Sequence, residues 1–344
     1  MNHIDSSATR LVVTGGAGYI GSHFSTLAVR QGYVVHVVDD LRTGFSDALV
    51  PDVRFHRLAL HEKDKLGDLL ATIRPNAVVH FAGSISVGES VVKPTDYYEN
   101  NVLASLVLLR AMHAAGLRNF IFSSSAAVYG APPVAAPIVE SQVKAPMNPY
   151  GHSKWMVEQI LSDASKAGEL RYCALRYFNA AGASSDGSNG ERHQPETHLI
   201  PLAIHATICG SPLTVFGNDY PTQDGTCIRD YVHVNDLARA HLKAVEYLLA
   251  DGDSVALNLG TSQGTSVLEV VRAVSAITKR EVPLVWAPRR AGDPAFLVAD
   301  ATAARATLDW VPIESGLDAI VTDAIRWESK RMSGQLLPDQ LSVR

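Results

Sequence analysis

Residues 14–21 read TGGAGYIG, a glycine-rich segment between the β-branched run LVVT (11–14) and a stretch of helical spacing that starts at Tyr19. Its glycines recur every third residue, at Gly15, Gly18 and Gly21. Glycine there allows a tight turn, close approach of the backbone to a pyrophosphate, and close packing of the helix on the strand. Free N–H groups at the start of the helix add partial positive charge for a phosphate. The segment therefore predicts a strand–loop–helix unit that binds a dinucleotide.

An acidic residue, Asp39, ends the next strand-like run, VVHVVD (34–39). A carboxylate at this position accepts hydrogen bonds from the adenosine ribose and repels a 2′-phosphate. We therefore predict NAD rather than NADP as the cofactor. Arg42 follows closely, and we interpret it as a surface arginine rather than as a phosphate ligand.

The first half of the chain continues this alternation of short apolar runs and helical spacing. Further strand candidates are VRFHRL (53–58), AVVHF (77–81) and NFIFSSS (119–125). Such alternation implies a parallel sheet with helices on both faces. We therefore predict an α/β protein with a Rossmann-type, doubly wound parallel sheet.

The pattern changes near Ala180, where residues 183–198 are polar and rich in turn-forming residues. Helix candidates follow, with weaker strand signals between them. We predict an NAD-binding Rossmann domain over residues 1–180 and a smaller C-terminal α/β substrate lobe over residues 181–344. Some strands and helices can be shared between the two lobes.

The composition excludes several classes of partner. The 344 residues include 30 basic and 35 acidic side chains without a basic block, so nucleic acid is not expected, because phosphate binding needs clustered positive charge. No apolar run approaches the roughly 18 residues of a membrane span, so no membrane partner is expected. The N-terminal MNHIDSSATR also lacks the apolar stretch of a signal peptide. We expect a cytoplasmic protein.

The spacing of cysteines and histidines predicts no metal site. The cysteines are few and odd in number, which fits a reducing cytoplasm better than a disulfide framework; they are Cys173, Cys209 and Cys227. The histidines of the second half also lack the spacing of metal ligands; they include His193, His198, His205 and His233.

The segment NPYGHSK (148–154) predicts a catalytic pair on one helix face. Asn148 suits the N-cap and the following proline suits the first helical position. Tyr150 and Lys154 are then one turn apart, and the ammonium group should lower the pKa of the phenol towards working pH. Ser125, at the end of the serine-rich strand, can hydrogen-bond the same substrate hydroxyl. Taken alone, a Tyr-x-x-x-Lys spacing is also explained by a tyrosine packed in the core and a lysine on the surface, without a catalytic role.

Two further groups of residues accompany this pair. HFAG (80–83) ends a strand on the side where open α/β sheets bind cofactors, and an ordinary strand end with a turn glycine is the alternative. Arg229, Arg290 and Asp293 place charge in the second lobe, and arginine forks suit a diphosphate. From these three residues alone, surface salt bridges are the simpler interpretation.

Taken in order, the glycine loop, HFAG, YYENN, FSSSAAVYG, NPYGHSK, LRYFN, VFGNDYPTQDGTCIRDYVHV and APRRAGDPA give a specific pattern. From about residue 10 to residue 330 the chain resembles the UDP-glucose 4-epimerases, which are extended short-chain dehydrogenases/reductases. The resemblance implies tightly held NAD, a UDP-sugar substrate, interconversion of UDP-glucose and UDP-galactose, and a homodimer.

The resemblance also implies roles for individual residues. The NAD site would be lined by Gly15, Gly18, Tyr19, Ile20, Gly21, Asp39, Phe81, Ala82, Gly83, Asn100, Lys154 and Phe178. Ser125 and Tyr150 would act on the sugar, with Lys154 completing the catalytic set. The UDP part would be held by Asn179, Leu199, Arg229, Arg290 and Asp293.

The family chemistry is a transient oxidation at C4 of the sugar. Tyr150, as a phenolate, would remove the proton of the 4-hydroxyl while C4 passes a hydride to the nicotinamide. The 4-keto sugar would turn about its diphosphate link and accept the hydride on its other face, after which Tyr150 returns the proton. The nucleotide must therefore be gripped while the hexose is held loosely.

The chain departs from the family pattern at several positions. Ala59 and Leu60 replace the Asp-Ile pair of many relatives, and Ile85 replaces a common lysine, so cofactor retention could be weaker. His198 replaces an asparagine and receives no firm role. Leu297 aligns with a tyrosine that narrows the sugar pocket of some relatives.

Three alternatives follow from these observations. The protein could epimerise another UDP-sugar, such as UDP-GlcNAc, UDP-GalNAc or a UDP-pentose. A dehydratase or decarboxylase is disfavoured, because Ala126 and Ala127 supply no acid or base after Ser125. A catalytically silent NAD-binding regulatory protein would be free to lose its Ser, Tyr and Lys, and all three are present.

Overall fold

The computed structural model describes residues 9–132, 135–290 and 293–334. In these ranges the strands are β1 Arg10–Thr14, β2 Val34–Asp39, β3 Arg54–Arg57, β4 Ala77–His80, β5 Asn119–Ser125, β6 Arg171–Tyr177, β7 Asn179–Ala181, β8 Leu213–Phe216, β9 Ile228–Arg229, β10 Tyr231–His233, β11 Val255–Leu259, β12 Thr265–Ser266, β13 Leu284–Ala287 and β14 Phe296–Leu297. The α-helices are α1 Tyr19–Arg30, α2 Lys63–Ile73, α3 Val87–Val92, α4 Pro94–Tyr97, α5 Ala104–Ala114, α6 Pro149–Lys166, α7 Leu199–Cys209, α8 Val234–Leu249, α9 Val267–Thr278, α10 Thr302–Leu308 and α11 Leu317–Met332. None of these helices is both long enough and apolar enough to cross a bilayer.

The central sheet has seven strands in the order β11-β6-β5-β4-β1-β2-β3, and all of its neighbouring strands are parallel. The predicted α/β, doubly wound Rossmann architecture is confirmed. From β1 the chain builds outward to β2 and β3, and then returns to place β4 on the other side of β1. The strand order therefore reverses at β1, and open α/β sheets bind ligands in the crevice at the carboxyl ends of the strands at such a point.

The core consists of two apolar layers, because successive side chains of a strand point to opposite faces of the sheet. Leu11 and Val13 of β1 pack in one layer with α1, α8 and α10, and both are fully buried. Val12 lies in the other layer with α2, α5 and α6. Helices thus cover both faces of the sheet and leave its carboxyl end as the open edge.

The second half of the chain contributes to both parts of the molecule. The seven-stranded sheet takes its last strand, β11, from residues 255–259, and α8 packs on the same layer as α1. A separate apolar core lies among α7, α9 and α11, with Ile204, Val270 and Ile320 fully buried in it. The division of the chain at residue 180 stays a prediction.

Candidate active site

The glycine loop folds tightly against the loop that follows β4. Gly15 has a left-handed backbone (φ +69°) and its N–H donates to the Val38 carbonyl at 2.9 Å. A Cβ atom at this position would lie 2.4 Å from the backbone nitrogen of Ala82, so only glycine fits. At Gly21 a Cβ would lie 2.3 Å from the Gly15 carbonyl oxygen. Both glycines are required by the close approach of backbone segments of the protein itself.

The N-terminus of α1 faces the space next to this loop. Tyr19 and Ile20 are its first two residues, and Gly18 stands at the N-cap without a side chain that caps the helix. The first N–H groups therefore have no side-chain acceptor at the N-cap, which suits an anion.

Asp39 ends β2 beside the loop. Its buried carboxylate accepts hydrogen bonds from the Ala17 N–H at 3.0 Å and the Leu41 N–H at 2.8 Å. Burial raises the pKa of Asp39, and these two hydrogen bonds oppose the rise. The exposed Arg42 reaches across to the side-chain oxygen of Asn100, a contact that its interpretation as a surface arginine did not include.

Residues 81–84 form the opposite wall of the crevice. The N–H groups of Phe81 and Ala82 donate to the Thr14 carbonyl at 2.9 and 3.1 Å, and Gly83 follows at the turn. Asn100 donates to the Ser84 hydroxyl at 2.9 Å.

Asn101 has a structural role that the sequence reasoning missed. Its buried side chain accepts from the Ser84 N–H at 2.7 Å and donates to the Ser84 carbonyl at 3.0 Å and to Ser153 Oγ at 2.9 Å. The side chain thus ties the wall of the crevice to α6. The motif YYENN contains this residue, but sequence alone could not show which of its two asparagines turns inward.

Helix α6 positions the predicted catalytic pair. Asn148 caps the helix by accepting from the Gly151 N–H at 2.9 Å, and a proline occupies the first turn, as predicted. Tyr150 and Lys154 are both buried on the face that meets the end of β5. Lys154 Nζ donates to the Ser123 carbonyl at 2.8 Å and lies 4.9 Å from the centroid of the Phe122 ring. Ser125 is the last residue of β5 and is also buried.

Burial dominates the electrostatics of this pair. Burial raises the pKa of Tyr150, and a hydrogen bond with the Ser125 side chain partly opposes that rise. Burial also lowers the pKa of Lys154 to about 8. The predicted net lowering of the Tyr150 pKa towards working pH is wrong, because desolvation of the buried phenol is the larger effect and Lys154 Nζ is directed at the Ser123 carbonyl.

In the second lobe, short strands bring three predicted substrate residues around Asp230. The Asn179 side chain donates to the Asp230 carbonyl at 3.0 Å, and the Asp230 N–H donates to the Leu297 carbonyl at 3.1 Å. Leu297 also pairs directly with Arg229 across β14 and β9. The fully buried Asp230 carboxylate accepts from the N–H and hydroxyl of Thr261 at 2.9 and 2.7 Å. Sequence reasoning missed Asp230, although it lies inside the motif CIRDYVHV.

The predicted charges of this lobe are also brought together. Arg229 forms an ion pair with Asp293, and only 12% of the Arg229 side chain is exposed. An isolated surface salt bridge therefore does not describe this pair. The Arg290 guanidinium lies 4.0 Å from the centroid of the Phe216 ring, which adds an aromatic platform that the sequence reasoning did not identify.

An apolar cluster joins the second lobe to the catalytic strand. Phe178 and Leu297 both pack against a small buried cluster of Val128, Tyr129 and Ile138. Val128 and Tyr129 belong to the turn that directly follows Ser125. Leu297 and Phe178 therefore lie between the charged residues of the second lobe and the end of β5.

The loop before α7 holds a compact group of ionisable side chains that sequence spacing did not reveal. Ligand atoms of Glu191, His193, Glu196 and His198 all lie within 4.8 Å of one another. Although burial opposes both changes, the contacts raise the pKa of His193 to about 10 and lower the pKa of Glu191 to about 2. The group is thus a charge-balanced set of imidazolium–carboxylate pairs, in which protons compete with any cation.

This group stands directly before the predicted UDP contact at Leu199. Leu199 is the first residue of α7, and His198 is its N-cap without a capping side chain. The His198 side chain therefore accepts no hydrogen bond from the first N–H groups of α7. These groups, like those of α1, suit an anion.

The fold and the site together define a class of protein. A glycine loop, a buried acidic residue after β2 and a Tyr–Lys pair beside a serine lie at the open edge of a Rossmann sheet, with a second lobe beside them. This is the arrangement of a dinucleotide-dependent enzyme that acts on a hydroxyl or carbonyl group.

Comparison with known proteins gives the particular family. Residues 11–260 match the NAD dependent epimerase/dehydratase family, and the chain belongs to that family. It is 47% identical over 325 residues to a UDP-glucose 4-epimerase of Rhizobium meliloti, which covers 94% of this chain and 98% of the relative.

Solved structures agree with this assignment. A UDP-glucose 4-epimerase from Brucella ovis in complex with NAD is 46% identical, with a TM-score of 0.90 over 93% of this chain and 98% of the other. A UDP-Glc/GlcNAc 4-epimerase from Campylobacter jejuni is 38% identical, with a TM-score of 0.83 over 94% of this chain and 100% of the other.

Proposed function

We propose that the protein interconverts UDP-glucose and UDP-galactose by transient oxidation at C4, with NAD as cofactor and Tyr150 as acid and base. The observation that carries this function is the position of Tyr150. Its phenol is buried next to Ser125, one helical turn from Lys154, at the edge of the glycine-loop crevice. An epimerase needs a single group that removes and returns one proton, and no further acid or base.

The residues present fit NAD. The glycine loop leaves no room for a Cβ at Gly15 or Gly21, and the N-terminus of α1 offers its first N–H groups to the diphosphate. Asp39 would accept from the adenosine ribose, while Phe81, Ala82, Gly83, Asn100 and Phe178 would line the rest of the cofactor site. When bound, NAD would take up the hydride from C4 and give it back.

Tyr150 needs positive charge nearby if it is to act as a base. Burial raises the pKa of its phenol, so the phenolate must be stabilised at the moment of reaction. Lys154, one turn away, and the hydroxyl of Ser125 are the groups of this chain that can do so, and the positive ring of oxidised NAD would add to them. Ala126 and Ala127 stand where a dehydratase needs acid and base, so elimination is not expected.

The second lobe would grip the UDP part. Arg229 and Arg290 supply guanidinium forks for the diphosphate, and the Leu199 N–H and Asn179 amide supply neutral donors. Asp293 would accept from the nucleotide. Near the hexose the described residues Phe178 and Leu297 are apolar, which leaves the sugar free to turn between the two hydride-transfer steps.

One assay tests the function. Purified protein is incubated separately with UDP-galactose, UDP-GalNAc and UDP-arabinose, and the 4-epimers are separated by chromatography. We expect conversion of UDP-galactose to UDP-glucose as the main reaction. Retained NAD without conversion of any UDP-sugar would contradict it and favour the regulatory alternative. A second measurement identifies the nucleotide that the purified protein releases when it is denatured. We expect NAD, and recovery of mostly NADP would contradict the role of Asp39.

We also propose a homodimer. Leu103 and Met156 are 49% and 43% exposed, and together with Tyr98, Val102 and Leu106 they line an apolar groove next to α5 and α6. Exposed apolar patches of this kind are typical of protein interfaces. Light scattering after gel filtration should give twice the chain mass, and Leu103→Asp should give a monomer.

The free cysteines Cys173, Cys209 and Cys227 support a cytoplasmic location.

A further inference from the structure

The segment 182–192 lies across the start of the cofactor-binding helix. The Tyr19 hydroxyl donates to the Gly182 carbonyl at 2.6 Å. The Asn189 side chain donates to Ser22 Oγ at 2.8 Å. Residues of the second half of the chain are thus bonded to the first turn of α1, next to the glycine loop.

Arg192 contacts the loop after β2 in two ways. Its guanidinium lies 3.5 Å from the centroid of the Phe45 ring and pairs with both carboxylate oxygens of Asp47. The Arg192 side chain is only 14% exposed. Stacking on a ring and a two-point pair with a carboxylate together fix the orientation of a guanidinium.

The partner of Arg192 is fastened to the glycine loop. The Phe45 N–H donates to the Ala17 carbonyl at 3.0 Å, and a Cβ at Gly44 would lie 3.0 Å from Ala17. The Ala17 N–H in turn donates to the Asp39 carboxylate at 3.0 Å. The positions of Phe45, Ala17 and Asp39 are therefore coupled. Ala17 and Asp39 lie at the edge of the proposed cofactor site.

The residue before Arg192 faces the opposite way. The Glu191 carboxylate pairs with His193 and His198, and its carbonyl accepts from Trp327 Nε1 of α11 at 2.8 Å. The backbone of this segment is thus held by the second lobe, directly before Leu199 and α7. Arg192 extends from this anchored backbone to the loop after β2.

We propose that Arg192 is a positioning residue that retains NAD. By joining the anchored segment to Phe45 and Asp47, it holds the loop after β2 against the glycine loop and closes the route by which the dinucleotide leaves. The inference rests on the proposed use of NAD, and it assigns Arg192 no part in proton or hydride transfer.

The test measures release of NAD from the holoprotein. NAD-loaded protein is diluted into excess alcohol dehydrogenase and ethanol, so that the absorbance of NADH reports the release rate. Arg192→Ala should release NAD about 10-fold faster, and Arg192→Lys, which keeps the charge but not the fork, should be intermediate. The kcat at saturating NAD should stay within about twofold of wild type, because the groups around Tyr150 are untouched.

Arg289→Ala is the matched control. Arg289 also stacks on a ring, 4.4 Å from the Tyr220 centroid, and pairs with Asp219 at 2.7 Å, so both of these contacts lie in the second lobe rather than in the cofactor loops. Its loss should leave NAD release unchanged.

Equal release from wild type and Arg192→Ala would overturn the inference, as would the same acceleration in Arg289→Ala. A protein that holds NAD but converts no UDP-sugar would remove the proposed function, whereas faster release from Arg192→Ala would still support the retaining role. A protein that binds no NAD would overturn both.

Discussion

The glycine-loop side of the crevice, where we propose that NAD binds (the cofactor side), is built mainly from backbone groups. The side where we propose that the UDP-sugar binds (the substrate side) is built from side chains of several distant elements. On the cofactor side, Gly15 and Ala82 touch through backbone atoms, and the Asp39 carboxylate is already held by two N–H groups. On the other side, Arg229 pairs with Asp293, which is 64 positions away in the chain, and the Asn179 side chain donates to the carbonyl of Asp230, the residue after Arg229.

This difference matches what each side has to do. A cofactor that stays bound needs a fixed cradle, and close backbone packing provides one. A substrate that enters, turns and leaves needs strong charged contacts at one end and few at the other. The comparison predicts that changes on the cofactor side abolish binding, whereas changes on the substrate side shift affinity or selectivity.

Gly15→Ala should have the largest effect. Its Cβ would meet the Ala82 backbone at 2.4 Å, and backbone cannot rotate away, so NAD affinity should fall at least ~100-fold. Gly116→Ala is the control, because Gly116 has the same φ of +69° with nothing within 4 Å of a Cβ. Calorimetric titration with NAD measures both. Similar losses of NAD affinity in the two variants would show that strain of the left-handed backbone, rather than the contact with Ala82, causes the effect.

Arg229→Ala should weaken the substrate side alone. If this largely buried guanidinium binds the diphosphate as we propose, its loss should raise the KM for UDP-galactose about 30-fold, with bound NAD unchanged. Arg272→Ala removes an arginine that is 64% exposed and pairs with Asp224 at 3.2 Å, and it should leave the KM unchanged. A KM that stays at the wild-type value in Arg229→Ala would remove Arg229 from the UDP site.

Leu297→Tyr should change selectivity between UDP-galactose and UDP-GalNAc by about 10-fold. Leu297 packs against the same apolar cluster as Phe178, and leucine would leave more room near the sugar than tyrosine would. We expect measurable wild-type activity on UDP-GalNAc and a ratio of kcat/KM for UDP-galactose over UDP-GalNAc that rises about 10-fold in the variant. Leu297→Met, which conserves volume, is the control. If wild type ignores UDP-GalNAc, or the ratio does not rise, Leu297 is not the gate.

Glu191→Gln should have the smallest effect, on stability rather than on chemistry. Glu191 has a pKa lowered to about 2, so its contribution is present above the ordinary pKa of glutamate and is lost towards pH 2. His193 has a pKa raised to about 10, so its contribution is present below about pH 6.5 and is lost as the pH rises towards 10.

The Tm difference between wild type and Glu191→Gln should therefore be largest between about pH 5 and 6.5, at roughly 5 °C, and should shrink by pH 9. Glu89→Gln, at an exposed carboxylate paired with Lys93 at 3.2 Å, should show a small difference without this dependence. A difference for Glu191→Gln that does not change with pH would contradict the charge-balanced group.

The cofactor side could be predicted from sequence because its determinants are local. The run VVHVVD coincides with β2, NFIFSSS coincides with β5, and Asn148 caps α6 as its side chain predicts. Alternating hydrophobicity, glycine spacing and capping act over a few residues, so they can be recognised without a structure.

The substrate side could be predicted only in part, because its determinants are non-local. Strands β9 and β14 have two residues each, too few for any periodicity, yet their pairing places Leu297 beside Arg229. Asp230 depends on Thr261, 31 residues further along the chain. Phe216 depends on Arg290, 74 residues further along. Glu191 depends on the folded loop that brings His198 to it. The pKa of Tyr150 was mispredicted for the same reason, since burial is a property of the whole fold.

The most direct test of the account is Tyr150→Phe, measured for turnover and bound NAD together. Only the hydroxyl is removed, so the variant should keep its fold and its NAD while turnover of UDP-galactose falls at least ~10²-fold. Tyr97→Phe removes the hydroxyl of another buried tyrosine, which contacts Glu89 at 3.2 Å, and should turn over normally. Near-normal turnover in Tyr150→Phe would remove Tyr150 from the mechanism and contradict the proposed acid–base chemistry.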